Sequence, residues 1–439
     1  MSYASTTIIL EHSGHALTNL GDAAMLQAAV SRLAARFPGA TIRVPTSAPD
    51  RLARLCPQAS PLPSDGLRAL AGLGYLPFRH RLPRRAGAGV ARLEARLRGA
   101  RPEWLDALAL RRAGRGTGEG RDAAEVLSAL DGAALFVAGG GGFVTDAFPD
   151  KAWSSLTLLR RAQRRRIPTA LVSQGIGPLE EPSLRALAAR TLGDADFIAL
   201  RERRAGPALL ERLGVDARRV AVTGDDAVGA AHAARRATEG TALGVNLRSA
   251  AYAGLDAGSM AAIGAAIRRL SGELRAPILP VPIALDATGS DAAAIRTAVG
   301  DTGGEPDPVD PAGAIARAAR CRVVVTASYH AAVFALAQGI PAVGVSRTRY
   351  YADKLFGLAE MFGPGADVVS LDEPAWEERL SAAVRDLWRR AAERRPGLIA
   401  AAAEQLRLQE EAYGRVASLA GGLASLPAPS RTGAVEASA

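Results

Sequence analysis

The run from Arg322 to Gly357, RVVVTASYHAAVFALAQGIPAVGVSRTRYYADKLFG, constrains the fold most. Val323, Val324, Val325 and Thr326 are β-branched and read as a buried strand. A helix pattern starts directly after Ala327, with Ala332, Phe334, Ala335, Leu336 and Ala337, and Ser328 stands where an N-cap belongs. A second strand, Pro341 to Val345, follows, and then a further helix opening at Tyr350. Strand, helix and strand in such close order is the unit of a parallel α/β sheet. Open sheets of this kind bind ligands beyond the carboxyl ends of their strands. His330 falls at such an end, and Arg347, Arg349, Tyr351 and Lys354 are expected to face the same crevice.

The same alternation runs through most of the chain. Strands are expected at Thr6–Leu10, Thr41–Val44, Ala133–Val137, Thr169–Ser173, Phe197–Leu200 and Val220–Thr223. A second array comprises Leu243–Leu247, Pro277–Val281, Arg322–Thr326 and Ala342–Val345, with Val368–Val369 a weaker member. Between the first two strands, Met25, Leu26, Ala29, Val30 and Leu33 recur at helical spacing, predicting a helix from Asp22 to Phe37. The arrays part near Ala230 to Thr241. The expected fold class is therefore α/β, with two Rossmann-like, doubly wound domains facing across a cleft. The first is assigned to residues 1–235. The second, residues 236–420, includes a long C-terminal helix pattern that reaches across both. Residues 421–439 are small and polar and read as a disordered tail.

Charge narrows the partners. The net charge is +10, which suits anionic small molecules or anionic lipid surfaces. Nucleic acid ranks last, because no zinc-ligand spacing, RNP-type run or basic heptad is present. Of 54 lysines and arginines, only Lys151 and Lys354 are lysine. A surviving lysine in so biased a composition is informative where a compact ammonium or a shiftable pKa is needed. Cys56 and Cys321 are far apart, which argues against a disulfide framework or a metal cluster. The N-terminus lacks a basic n-region and no apolar run reaches the length of a membrane span, so a cytoplasmic protein is expected. Between Gly66 and Gly120, 12 arginines meet four acids, with Leu73, Tyr75, Phe78 and Trp104 interspersed. That segment reads as an inserted helical hairpin with a solvated basic face, or as a docking surface for a lipid-linked substrate at the membrane.

Five strand-to-helix turns of the first array carry chemistry-bearing residues. Asn19-Leu20-Gly21-Asp22 opens the first helix; Gly21 permits close approach of an anion. Asp22 reads either as the helix cap or as a carboxylate that orients or deprotonates a hydroxyl. The glycine run 139–142, with Gly140 and Gly141 at its centre, follows the third strand and is not a dinucleotide fingerprint. Gln174 and Gly175 close the next strand, and Arg201 the one after it, where a guanidinium grips a carboxylate or phosphate. Asp225 and Asp226 end the sixth; either one reads as a cap for the following helix. His330 reads as a locally satisfied helix-start histidine or as a general acid. A helix N-terminus disfavours imidazolium, so the acid role calls for an anionic substrate nearby.

Together these residues resemble the polysaccharide pyruvyl transferase family. The resemblance extends from Asn19-Leu20-Gly21-Asp22 to about Gly363, and its most specific block is Ser328-Tyr329-His330-Ala331 through Tyr351-Ala352-Asp353-Lys354. It implies a glycosyltransferase-B-like fold and transfer of the enolpyruvyl unit of phosphoenolpyruvate to two sugar hydroxyls as a cyclic ketal. It further implies His330 as the acid, Arg201 and Lys354 as the cations for the donor, and Asp22 beside the acceptor; no cofactor is expected, and no metal site is evident in the residues themselves, although Asp22 and Asp225 beside the glycine loops leave Mg²⁺ open. Asn19, Gly21, Gly140, Gly141, Gln174, Gly175, Asp225, Ser328, Arg347 and Tyr351 complete the expected binding set. One departure stands out. The arginine that the family pattern carries two residues before the histidine is Ser328 here, so Arg347 or Arg349 is expected to take its place, or the donor is a different anion. The rival readings are a nucleotide-sugar glycosyltransferase on the same architecture and a non-enzymatic anion- or lipid-binding protein acting through residues 66–120.

Overall fold

A computed structural model describes residues 6–12, 14–71, 118–248, 254–286, 290–303 and 305–421, with isolated positions between 107 and 116. Most of the basic segment 66–120 and all of 422–439 lie outside the described residues.

The first array forms one parallel sheet from β1 (Thr7–Glu11), β2 (Thr41–Thr46), β3 (Ala59–Pro63), β4 (Ala133–Ala138), β5 (Gly141–Val144), β6 (Thr169–Ile176), β7 (Phe197–Leu200) and β8 (Val220–Val222). Their order is β3-β2-β1-β4-β6-β7-β8, with β5 also paired to β6. The second array forms a parallel sheet of β9 (Ala242–Asn246), β10 (Ile278–Pro280), β11 (Cys321–Thr326), β12 (Ala342–Ser346) and β13 (Ala366–Ser370), in the order β10-β9-β11-β12-β13. Two strands are additions to the sequence reading. β3 carries Pro61 and Pro63, which an edge strand tolerates because one side of its ladder is unpaired. β5 grows out of the glycine run itself.

Both faces of both sheets are buried, which explains why the strands read as continuous apolar runs. Ile9, Phe136, Leu171 and Ile198 pack on one side of the first sheet, and Ile8, Leu135, Val172 and Phe197 on the other. Val323, Val325 and Val343 share one core of the second sheet, while Val324 and Ala342 belong to the other. The helix Trp376–Gly421 buries Leu380 and Val384 against the second sheet and Tyr413 and Val416 against the first. Among the described residues, no helix is long and apolar enough to cross a membrane.

The two arrays meet at the start of the first helix, Leu20–Arg36. Asn19 pairs with Ala284 in an isolated antiparallel bridge, Leu20 donates its N–H to Ile283 at 2.9 Å, and Leu285 donates to Thr18 at 2.9 Å. The loop they grip is itself fixed, because Asp291 Oδ2 accepts the Ile283 and Ala284 N–H groups and the Asn246 amide. Leu20, Ala24 and Met25 of that first helix share a core with Ala331, Phe334 and Ala335 of the helix Tyr329–Leu336. The facing edges of the two sheets are thus held in register by packing and by backbone pairing.

Candidate active site

Because every strand of the first sheet is parallel, its carboxyl ends share one edge, and the second sheet turns its own carboxyl edge toward it. A cleft of about 460 Å³ lies between them. Asn19, Asp22, Gly141, Arg201, Ser328, His330, Tyr351 and Lys354, all singled out from sequence, line it.

His330 sits in the first turn of the helix Tyr329–Leu336 and is buried, with 6% exposed. Its Nδ1 stands 3.9 Å from Asp22 Oδ1, and its Nε2 3.7 Å from Asp225 Oδ2. Nε2 also lies 3.2 Å from Met25 Sδ. The two ring nitrogens therefore have different surroundings. Nε2 faces a buried carboxylate and a thioether, while Nδ1 faces the half-buried Asp22 at the cleft wall. Asp22 and Asp225 come from the first sheet and His330 from the second, so this triad exists only when the halves are docked.

Asp225 does not line the cleft. It is fully buried behind the imidazole, where Oδ1 accepts the Ala227 N–H at 2.9 Å and Oδ2 pairs with Arg201 Nη1 at 3.3 Å. Burial on its own would raise this carboxyl; His330, Arg201 and the Ala227 amide outweigh it and hold it below the usual carboxylate range. Arg201 is 3% exposed, its guanidinium 4.0 Å over the Tyr329 ring. Its Nε and the Tyr329 hydroxyl are buried without a hydrogen-bond partner among the described residues. Buried donors left open beside a cavity mark a place for a ligand's acceptor atoms.

Lys354 Nζ contacts the Tyr350 hydroxyl and lies 3.5 Å from the Gly142 carbonyl. A β-carbon on Gly142 would stand 2.5 Å from Lys354 Nζ and 2.8 Å from Arg201 Nη2. Two cations from opposite halves converge on that spot, and a side chain there would have to displace them. Burial, and next the Arg201 charge, push the Lys354 ammonium well below the usual lysine range. Two close cations with an unmet donor form a cradle for a compact anion.

Several expectations are corrected by the geometry. Asn19, not Asp22, caps the first helix, its side-chain oxygen accepting the Gly21 and Asp22 N–H groups at 3.0 and 3.1 Å. That leaves Asp22 free of capping duty. Ser328 occupies the cap position but makes no capping bond; Thr326 Oγ1 accepts its N–H instead. Arg347 does not face the cleft, being paired to Asp256 at 3.1 Å and Asp372 at 3.3 Å. Arg349 is 96% exposed and borders a neighbouring cavity of about 630 Å³, as does Gly175. Gly21 and Gly140 pack behind the cleft wall, against His330 and Met25 respectively. Gln174 is fully buried and donates to the Ala138 and Gly139 carbonyls, which fixes the glycine run.

Sequence reasoning missed Arg248, Tyr329, Tyr350 and the wall made by His15, Arg68, Phe148 and Lys151, all of which line the cleft. Nothing local in the sequence marks Arg248; strand register brings it to the cleft. β9 and β11 pair Asn246 with Thr326, so two residues further on Arg248 and Ser328 leave the sheet side by side. The cleft thus has an arginine next to Ser328, contributed by the neighbouring strand. Arg248 is 15% exposed and lies 3.5 Å from Asp286 and 3.8 Å from Asp291.

The comparisons with known proteins agree with this architecture. The sequence matches the polysaccharide pyruvyl transferase family over residues 19–349. No curated protein matches it. A putative UDP-N-acetylglucosamine 2-epimerase from Listeria monocytogenes is similar at a TM-score of 0.55 and 13% identity, over 94% of both chains. A UDP-GlcNAc 2-epimerase from Neisseria meningitidis, solved with UDP-GlcNAc, gives 0.54 and 9%, over 94% of this chain and 98% of that one. A glycosyltransferase from Rickettsia africae gives 0.53 and 10%, with the same coverage. Identities this low speak to the fold, which is of the glycosyltransferase-B kind. With residues 19–349 of its 439 matched, the chain belongs to the polysaccharide pyruvyl transferase family.

Proposed function

We propose that this transferase moves the pyruvyl unit of phosphoenolpyruvate onto two hydroxyls of a sugar, forming a cyclic ketal. One observation carries the reading: a buried imidazole lies between two carboxylates, next to convergent cations in a cleft between two sheets. Arg201 and Lys354 suit the donor phosphate, and Arg248 its carboxylate, which is the part expected of Arg347 or Arg349 from sequence.

The chemistry balances with these groups. His330 gives a proton to the methylene carbon of the donor, and the cation that develops at C2 is stabilised by its phosphoester oxygen. An acceptor hydroxyl adds to C2 while Asp22 takes its proton. The C2–O bond to phosphate breaks, and a second hydroxyl adds. Of the two hydroxyl protons, one replaces that given by His330 and the other leaves on phosphate. Asp225 supports the protonated ring from behind, as an orienting carboxylate does in a triad. Arg201 and Lys354 hold the charge of the departing phosphate.

Membership of a transferase family leaves the non-enzymatic reading without support. The nucleotide-sugar alternative draws on fold alone. The test is phosphate release from phosphoenolpyruvate with a panel of sugar acceptors, together with thermal stabilisation by phosphoenolpyruvate, UDP, GDP and CMP. Stabilisation by phosphoenolpyruvate and loss of turnover in His330→Ala are expected. Full turnover in that variant, or stabilisation by a nucleoside diphosphate alone, excludes the reading.

A further inference from the structure

The two lysines of this arginine-rich chain line the same cleft from opposite walls. Lys354 belongs to the donor cradle. Lys151 has no part in the chemistry above and comes from the first turn of the helix Pro149–Arg164. A cation is unfavourable in a helix's first turn, so helix stability does not account for it. It is exposed and stands 5.6 Å from the Phe148 ring centroid, beside a wall that also holds Arg68 and His15. Neither Lys151 nor Arg68 has an ion pair among the described residues, whereas Arg201, Arg248 and Arg347 all do. Asp65 is the acid on this wall. The cleft thus has a second group of cations without ion pairs, on the first-sheet side, separated from Lys354 by the Phe148 and Tyr350 rings, whose centroids stand 6.4 Å apart.

We propose that this wall is an acceptor subsite for a phosphoryl-bearing sugar, with Lys151 and Arg68 holding the phosphoryl group. The inference rests on the pyruvyl-transfer reading for the word acceptor, but not for the anion site. The phosphoryl group of a sugar phosphate, a nucleoside diphosphate sugar or a prenyl diphosphate sugar presents the same oxygens to these cations. Held there, the sugar would reach Asp22 and His330 with its hydroxyls while its charged end stays at Lys151. Phe148 offers the ring an apolar face.

Inorganic pyrophosphate tests the site whatever sugar the acceptor carries. Calorimetric titration of the full-length protein is expected to show two sites. One is weakened at least tenfold in the Lys151→Ala, Arg68→Ala double variant, and the other in Lys354→Ala. N-acetylglucosamine 1-phosphate is expected to compete at the first and phosphoenolpyruvate at the second. UDP-N-acetylglucosamine and farnesyl diphosphate, used as further competitors at the first site, separate a nucleotide carrier from a prenyl one. A single site lost only in Lys354→Ala overturns this proposal and leaves the donor reading in place. A single site lost only in the double variant supports the anion site at Lys151 but removes the donor reading, and with it the assignment of that site to an acceptor. Competition by phosphoenolpyruvate at the Lys151 site overturns the assignment.

Discussion

Gly21 lies so close to His330 that a β-carbon at position 21 would stand 2.0 Å from the imidazole Cγ. No side chain fits unless the ring moves, and the ring is hemmed in by Met25 and Asp225. Gly21→Ala is expected to destabilise the protein by about 1–3 kcal/mol, the usual range for overpacking, and to abolish turnover. Denaturant unfolding and phosphate release measure the two effects. Wild-type turnover in this variant would show that His330 need not occupy its present position.

Asp225 contacts both His330, at 3.7 Å, and Arg201, at 3.3 Å. Asp225→Asn is expected to lower turnover roughly 10²–10⁴-fold, the scale of a general acid deprived of its orientation. Donor affinity, measured by calorimetry, should change much less. Loss of donor affinity with turnover per bound donor preserved would make Asp225 a support for Arg201 alone.

Arg248 lines the cleft together with Ser328, the position where the family pattern carries an arginine. Arg248→Ala is expected to weaken phosphoenolpyruvate binding by about 1.5–3 kcal/mol, the value of a charge-assisted hydrogen bond. Arg347→Ala should leave it within twofold, since that side chain is held by Asp256 and Asp372. The reverse ranking would restore Arg347 to the site.

Lys354 has its ammonium pushed down by burial and by Arg201. A bound dianion stabilises the charged form and raises that pKa, so donor binding takes up a proton. Affinity should be highest at low pH and fall as pH rises through the free-state pKa of Lys354. Titrations in buffers of different ionisation enthalpy read the uptake directly, and Lys354→Met is expected to abolish it.

His12 is 1% exposed, with neither ring nitrogen hydrogen-bonded among the described residues, and burial pushes it down to about 4. Between that value and an unfolded pKa near 6.5, the unfolded chain binds more protons than the folded one. The contribution is complete above pH 6.5 and is lost as pH falls toward 4, amounting to about 3 kcal/mol. Asp226, pushed up to about 6 by burial, slopes the other way over much of the same window. The informative quantity is therefore the difference between variant and wild type. His12→Asn should gain about 3 kcal/mol relative to wild type between pH 7 and pH 4. A constant difference would mean that the imidazole protonates freely in the folded protein.

Much of the fold could be read from the sequence because parallel strands covered on both faces must be apolar along their length. Val323–Val325 and Phe197–Leu200 are such runs, and their ends were located closely. β3 escaped because Pro61 and Pro63 argue against a strand unless its edge position is known, and β5 because glycines carry no pattern. Within the cleft, His330, Arg201 and Asp22 could be found because each directly follows a strand or opens a helix, and Lys354 because lysine is so rare in this chain. Whether a residue in such a turn faces the cleft or the core is another matter. Asp225, Gly140 and Gln174 turn inward, and Arg347 finds acids elsewhere.

The order of residues alone determined two strand-and-helix arrays, since hydrophobic period is a local property and each βα unit carries its own. Only the tertiary structure decided that Asp22 and Asp225 flank one imidazole, that Arg248 emerges beside Ser328, and that Lys151 and Lys354 share a cleft. Those relations join residues hundreds of positions apart. They follow from strand register and from the docking of two sheets, which depend on packing between elements and leave no period in the chain.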